Sequence, residues 1–124
     1  MKNVVTSKAP AAIGPYSQGM DIGNLVFTSG QLPLNMETGE METEIKAATK
    51  ASLSNVQAIF AQAGLTMNDV IKTTVFISDM NNFTAMNEVY ATFFGEIAPA
   101  RSCVEVARLP KDVLVEIEAI AVRK

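Results

Sequence analysis

The chain has 124 residues, 48% of them hydrophobic, and carries a net charge of −3. This is the size of one domain, so we expect a single domain over residues 1–124 with its own core. The charges are scattered and mildly acidic, which argues against nucleic acid or an anionic membrane as a partner. No apolar run could span a bilayer and no signal peptide is recognisable, so we expect a cytoplasmic protein.

Two features of the composition limit the chemistry. The chain has no histidine, so imidazole is excluded as a base or a ligand. Cys103 is the only cysteine, so a disulfide within the chain is excluded and a thiolate metal site is not expected. Catalysis would therefore use carboxylates, Tyr, Cys, Arg, Lys, backbone amides and water.

The first half of the chain predicts strands and then a long helix. Lys2–Ser7 is typical of a short strand, Gly14–Ser17 of a turn, and Leu25–Gln31 of a strand rich in β-forming residues. From about Thr43 to Ala63, apolar residues recur at helical spacing, and Gly64 then stops the helix.

The second half predicts another helix between strands. Strand character at Val70–Ser78 is followed by a helical pattern at Asn82–Glu96 and by two strands, Arg101–Ala107 and Val113–Val122. This order predicts an α+β fold, with one sheet and two helices packed on one of its faces. The opposite face also carries apolar side chains, so we expect a homo-oligomer that covers it.

Arg101 is a candidate for binding an anion. The two-residue period of a strand places it on one face with Cys103 and Glu105. Arginine is uncommon on a covered strand face unless it meets an anion, and its guanidinium matches a carboxylate in a bidentate pair. Spacing alone favours the alternative, a salt bridge to Glu105 or to another chain. For Cys103, spacing favours a small buried side chain over a reactive thiolate.

Two glutamates, Glu116 and Glu118, share one face of the last predicted strand. Apolar neighbours would raise the pKa of such a carboxyl group toward the range that is useful in acid–base chemistry. The alternative is a subunit interface in which both charges are paired. The spacing of the residues does not separate these two interpretations.

Loop and helix positions add weaker candidates. Tyr16 places a phenol on a loop, and Gly30 after Ser29 would let a ligand approach backbone N–H groups. The alternative at Gly30 is an ordinary β-bulge, which the sequence favours. For Asn87, on the apolar side of the second helix, the sequence favours a structural amide bonded to nearby backbone.

Six segments together form a pattern that covers nearly the whole chain: Gly14–Gln18, Val26–Gln31, Lys72–Ile77, Asn87–Tyr90, Pro99–Pro110 and Val115–Ala119. This pattern resembles that of the RidA family, the reactive intermediate deaminases formerly called YjgF. The resemblance implies a chorismate-mutase-like α+β fold and a homotrimer with ligand clefts between subunits. It also implies hydrolysis of 2-aminoacrylate and 2-iminobutyrate to 2-keto acids and ammonia, without a cofactor, which protects pyridoxal-phosphate enzymes.

The resemblance also implies roles for single residues. Arg101 would hold the substrate carboxylate, reversing the preference for a salt bridge. Glu116, preferred to Glu118 by the motif alone, would position the water, with Tyr16 close to the imine carbon. The other implied members of the cleft, Ser29, Gly30 with its amide as a donor, and Cys103, would line the substrate.

Three other functions are alternatives. A binding module for small carboxylates such as 2-keto acids would use the same Arg101 without turnover. A mutase acting on a dicarboxylate would need further cations, and Arg108 in a turn and Arg123 at the tail do not favour it. Ribonuclease activity, attributed to some relatives, is disfavoured by the acidic balance and the missing histidine.

Overall fold

Six β-strands form one mixed sheet, and two α-helices pack on one of its faces. The computed structural model describes residues 1–124. In chain order the elements are β1 (Lys2–Val4), β2 (Gly19–Asp21), β3 (Leu25–Thr28), α1 (Ile45–Gln62), β4 (Val70–Ile77), α2 (Phe83–Ala91), β5 (Ala100–Glu105) and β6 (Val115–Val122). The sheet order is β1-β2-β3-β6-β4-β5, with β4 and β5 parallel and the other pairs antiparallel. The predicted α+β fold with both helices on one side is confirmed.

The strands differ from the predicted ones mainly at the start of the chain. The first strand ends at Val4 rather than at Ser7. The strand Gly19–Asp21 is not located by any sequence pattern, because three residues are too few to show a period. The next strand ends at Thr28, although Gln31 rejoins the sheet through an isolated bridge to Ile117 of β6.

The second helix ends at Ala91, five residues before the predicted Glu96. Beyond Ala91, the amides of Thr92 and Phe93 bond carbonyl oxygens three residues back at 3.0 and 3.1 Å, so the chain tightens out of the α-helix. The apolar pattern that continues to Phe94 therefore reflects packing against the core and not helix length. Neither helix is long and apolar enough to cross a membrane.

The alternation of side chains along β6 divides the sheet into two faces. Val115, Ile117 and Ala119 are at most 3% exposed and lie in the core with α1 residues such as Phe60. We call the opposite side the outer face, because no element of the chain covers it. Its half-buried side chains on β4 and β6 are Lys72, Thr74, Phe76, Glu116, Glu118 and Ile120.

Candidate active site

Arg101 lies on the edge strand β5, on the face that the helices cover. In the register of the parallel pair it stands beside the buried Thr73. Its NH1 donates a hydrogen bond of 2.7 Å to Asn87 Oδ1 on α2. Its guanidinium carbon lies 4.7 Å from the centre of the Tyr90 ring and 5.5 Å from that of Phe83. Two aromatic faces and one amide therefore hold the cation without neutralising it.

No carboxylate pairs with Arg101 within the chain. The salt bridge to Glu105 is absent, because Glu105 Oε1 accepts the backbone N–H of Met80 at 2.7 Å. The chain has two other arginines, and both are paired: Arg108 with Asp112 and Arg123 with Asp21. Arg101 is thus the one arginine that is free to bind an anionic ligand.

The Tyr90 ring, over which the Arg101 guanidinium lies, is held in place by a hydrogen bond and by burial. Its hydroxyl is within 2.6 Å of Thr73 Oγ1, and the side chain is 6% exposed. Asn87 and Tyr90 are three residues apart on α2, so they present adjacent groups to β5. The sequence interpretation of Asn87 as an amide bonded to backbone is wrong, because its oxygen accepts from the Arg101 guanidinium.

Cys103 lies two residues beyond Arg101 on the same face and is half-buried. Burial raises the pKa of its thiol, and the nearby charge of Arg101 lowers it by less. The group is therefore a neutral thiol at neutral pH. This environment suits a side chain that lines a pocket better than one that attacks a substrate.

Glu116 lies on the outer face of β6, where it is half-buried and forms no ion pair. Burial is the main cause that raises the pKa of its carboxyl group, and the charge of Glu118 adds to it. The residue that pairs with Glu116 in β4 is Phe76, so an aromatic side chain contributes to the low polarity around the carboxyl group. A carboxyl group of this kind is suited to accepting a proton.

A β-bulge brings Gly30 against Glu116. Phe27 pairs with Ile120 and Gln31 with Ile117, so three residues, 28–30, face two, 118–119. A Cβ atom on Gly30 would lie 2.7 Å from the carboxyl carbon of Glu116, so only glycine leaves room for that carboxylate. The bulge is therefore present as the alternative predicted. The Gly30 N–H donates to no acceptor within the chain, which leaves it available to a ligand.

Tyr16 and Ser29 lie beside this bulge. Both line a surface pocket with Met20 and Phe27, and the Tyr16 side chain is 51% exposed. The Ser29 hydroxyl donates to the carbonyl oxygen of Ser17 at 2.6 Å, so its proton is committed to the loop. Only its oxygen lone pairs are available to a ligand.

The candidate residues therefore form two groups. We call Arg101, Cys103, Asn87, Tyr90 and Phe83 the arginine half, and Glu116, Gly30, Ser29 and Tyr16 the glutamate half. The arginine half is on the helix face and the glutamate half on the outer face. β5 and β6 are two strand spacings apart, about 10 Å. A ligand the size of a small amino acid cannot reach both halves of one chain, so the structure brings residues together within each half only.

Sequence reasoning missed the supports of Arg101. Asn87, Phe83 and Tyr90 lie within two turns on one side of α2, and an apolar helix side predicts packing against the core rather than support for a cation. An amide in the middle of an aromatic stripe was the available signal. No cluster of three or more His, Cys, Asp or Glu side chains that could hold a metal is present.

Comparison with known proteins gives the family. The family model described as Endoribonuclease L-PSP matches residues 6–123. The chain belongs to the RidA (YjgF) family. A 2-iminobutanoate/2-iminopropanoate deaminase of Escherichia coli K12 is 56% identical over 126 residues, covering 99% of this chain and 98% of that protein. A RutC family protein of Haemophilus influenzae is 62% identical, covering 96% of this chain and 95% of that protein.

Solved structures of RidA-family proteins agree with the fold. The crystal structure of Escherichia coli TdcF with bound serine has a TM-score of 0.96 and 55% identity, and covers 100% of both chains. The 1.2 Å crystal structure of the yjgF gene product of Escherichia coli has the same TM-score and identity over the same share. The two groups of candidate residues therefore lie on a family scaffold.

Proposed function

We propose that this protein hydrolyses reactive 2-imino and 2-enamino acids, such as 2-iminobutyrate and 2-aminoacrylate, to 2-keto acids and ammonia. The observation that carries the proposal is Arg101, an unpaired guanidinium backed by two aromatic rings and one amide. The names of the Escherichia coli relatives support the substrate class. Removing these electrophiles in the cytoplasm protects pyridoxal-phosphate enzymes.

Substrate binding follows from the charge of Arg101. Since NH1 is directed to Asn87, the remaining N–H groups of the guanidinium bind the substrate carboxylate as a fork. The Gly30 N–H, which has no acceptor in the chain, is a further donor in the cleft. Cys103 lines the side of the substrate as a neutral thiol.

The chemical step uses Glu116 as the proton acceptor. Water adds to the imine carbon, and the carboxylate accepts a proton from that water as the C–O bond forms. The proton passes to the nitrogen, and the hydroxyl of the adduct then gives its own proton to the carboxylate as the C–N bond breaks, so that ammonia leaves and the 2-keto acid forms. Tyr16, on the same half, orients the water with its phenol. A protonated imine is already electrophilic, so a held substrate and an oriented water suffice without a metal.

The site is formed by two copies of the chain in a homotrimer. The two halves lie on opposite faces, so the arginine half of one subunit meets the glutamate half of the next. Contacts of this kind use two different surfaces, and a rotation that closes makes a ring. The outer face supplies the apolar area to be covered, including Phe76, Ile120 and Val104, the last 43% exposed.

The proposal is tested by adding the protein to threonine dehydratase acting on threonine and measuring ammonia and 2-keto acid release. Free imines hydrolyse spontaneously, so the readout is the rate above buffer. We expect Arg101→Ala to lower kcat/KM about 100-fold. Arg108→Ala is the matched control, because Arg108 is exposed and paired with Asp112, and it should keep full activity. No acceleration by the folded wild-type protein would refute the function.

The second candidate is a binding module for small amino or keto acids that has no turnover. The observation that favours it is the TdcF structure with bound serine, a relative that holds a small carboxylate. Both functions use Arg101, so only product release separates them. Binding of 2-ketobutyrate that is lost in Arg101→Ala, without accelerated imine hydrolysis, would favour this candidate.

A further inference from the structure

The segment that carries Tyr16 has no regular structure of its own. Residues 5–18 form neither helix nor strand between β1 and β2. A segment of this kind stays in one conformation only if other groups satisfy its backbone.

The side chain of Gln18 satisfies the backbone at the beginning of this segment. It is 3% exposed, and its amide bonds three residues at the beginning of the segment. Its Oε1 accepts the N–H of Thr6 at 2.7 Å. Its Nε2 donates to the carbonyl oxygens of Thr6, Ala9 and Pro10 at 3.0, 3.2 and 2.8 Å. One buried amide therefore closes residues 6–18 into a loop, and Tyr16 lies within it.

Gln18 also joins that loop to the glutamate half. The N–H of Ser29 donates to the Gln18 carbonyl oxygen at 2.9 Å, and the Ser29 hydroxyl donates to the Ser17 carbonyl oxygen at 2.6 Å. These bonds attach the residues after Tyr16 to the start of the bulge that presents Gly30. The side chain of Gln18 fixes the other end of the same loop.

We propose that Gln18 is a positioning residue that holds the Tyr16 phenol beside the bulge of the glutamate half. Gln18 touches no reacting atom and acts through the loop. Its effect on rate rests on the proposed function, whereas its effect on the Tyr16 environment does not. Removing the amide leaves the backbone groups that it binds in the 6–10 segment without partners, so the loop opens while the sheet and helices stay in place.

The test uses the two tyrosines of the chain, Tyr16 and Tyr90. Protein containing 3-fluorotyrosine gives two fluorine NMR signals, which the Tyr16→Phe variant assigns. We expect Gln18→Met to shift and broaden the Tyr16 signal and to leave the Tyr90 signal unchanged. The matched control is Asn55→Leu, because the Asn55 amide is 2% exposed and binds the Leu32 and Leu34 carbonyl oxygens of a different loop.

Kinetics give the second readout. We expect Gln18→Met to lower kcat/KM roughly 10- to 100-fold, as misplacement of a group in a site does. In the Tyr16→Phe background, the same substitution should change kcat/KM by less than about twofold, because both changes affect one group. Asn55→Leu should leave kcat/KM unchanged at a temperature where all variants are folded.

An unchanged Tyr16 signal in folded Gln18→Met would overturn the proposal, as would an equal loss of activity in Asn55→Leu. If Gln18→Met does not fold, Gln18→Glu replaces it, since it keeps the acceptor for Thr6 N–H and loses the donations. If the wild-type protein itself shows no turnover, the proposed function fails, and the fluorine signals still decide the role of Gln18.

Discussion

At the residue scale, the ionisation of Glu116 depends on its neighbour Glu118. Burial and the charge of Glu118 both raise the pKa of the Glu116 carboxyl group. Only the ionised carboxylate accepts a proton from water, so kcat/KM falls as the pH drops through this pKa. Glu118→Gln removes the like charge, lowers the pKa of Glu116, and should move the acid limb of the pH–rate profile to lower pH.

The control for this prediction is Glu37→Gln, which makes the same change in net charge at an exposed loop position. Its pH–rate profile should coincide with that of the wild-type protein. An acid limb that stays in place in Glu118→Gln, or one that moves equally in both variants, would show that Glu118 does not set the ionisation of Glu116.

Substitution of Gly30 should affect activity, and substitution of Gly39 should affect stability. Gly30→Ala places a methyl group against the end of the Glu116 side chain, which can move, so we expect lost activity and little change in melting temperature. Gly39 has φ of +75° and open space around it, so Gly39→Ala should lower stability by about 1 kcal/mol and keep activity. Thermal melts and kcat/KM of both variants measure this, and equal activity losses would contradict it.

Single residues of the site were predictable to different degrees. The two-residue period of a β-strand predicts that Arg101 and Cys103 share one face of β5 and that Glu116 lies on one face of β6. All three positions are as predicted. Residue spacing within one strand does not predict that Arg101 and Glu116 lie on opposite faces of the sheet, because this depends on the strand order β6-β4-β5. The roles of Tyr16, Ser29, Gly30 and the others stay predictions.

At the element scale, α1 contains one unsatisfied polar group in its buried face. Ser52 Oγ has no hydrogen-bond partner, whereas Thr49 Oγ1 donates to the Ile45 carbonyl oxygen at 2.8 Å. A buried hydroxyl without a partner is destabilising, so Ser52→Ala should raise stability by about 1 kcal/mol. Thr49→Ala should lower it. Urea unfolding of both variants measures the two changes, and a loss of stability in Ser52→Ala would contradict the assignment.

Element prediction succeeded where the period was long enough to read. α1 is a long amphipathic stretch, and β4 and β6 are long stretches of alternating side chains. The bounds of all three elements lie within two residues of the predicted bounds. β2 is a three-residue strand whose place depends on pairing with β1 and β3, which no local pattern contains. The end of α2 depends on tertiary packing of Phe93 and Phe94, so apolar spacing overestimates its length.

At the scale of the whole molecule, the separation of the arginine half from the glutamate half is the basis of the proposed site between subunits. The arginine half is built by β5 and α2, and the glutamate half by β6 and the bulge after β3. The sheet separates them, so no side-chain rotation brings Arg101 and Glu116 to one small substrate. In the proposed function, a neighbouring copy of the chain completes a site divided in this way, and the oligomer would then be part of the catalytic machinery.

Oligomers assembled from two different variants test this central claim most directly. Arg101→Ala and Glu116→Gln are each expected to retain about 1% of wild-type activity or less. They are combined in equal amounts by unfolding and refolding together, with each parent treated alone as the control. A site between subunits is intact when it takes Arg101 from one variant and Glu116 from the other, which is about a quarter of sites after random assembly. We predict that the mixture regains about a quarter of wild-type activity. A mixture that is as inactive as its parents, although it has assembled, would contradict a site shared between chains.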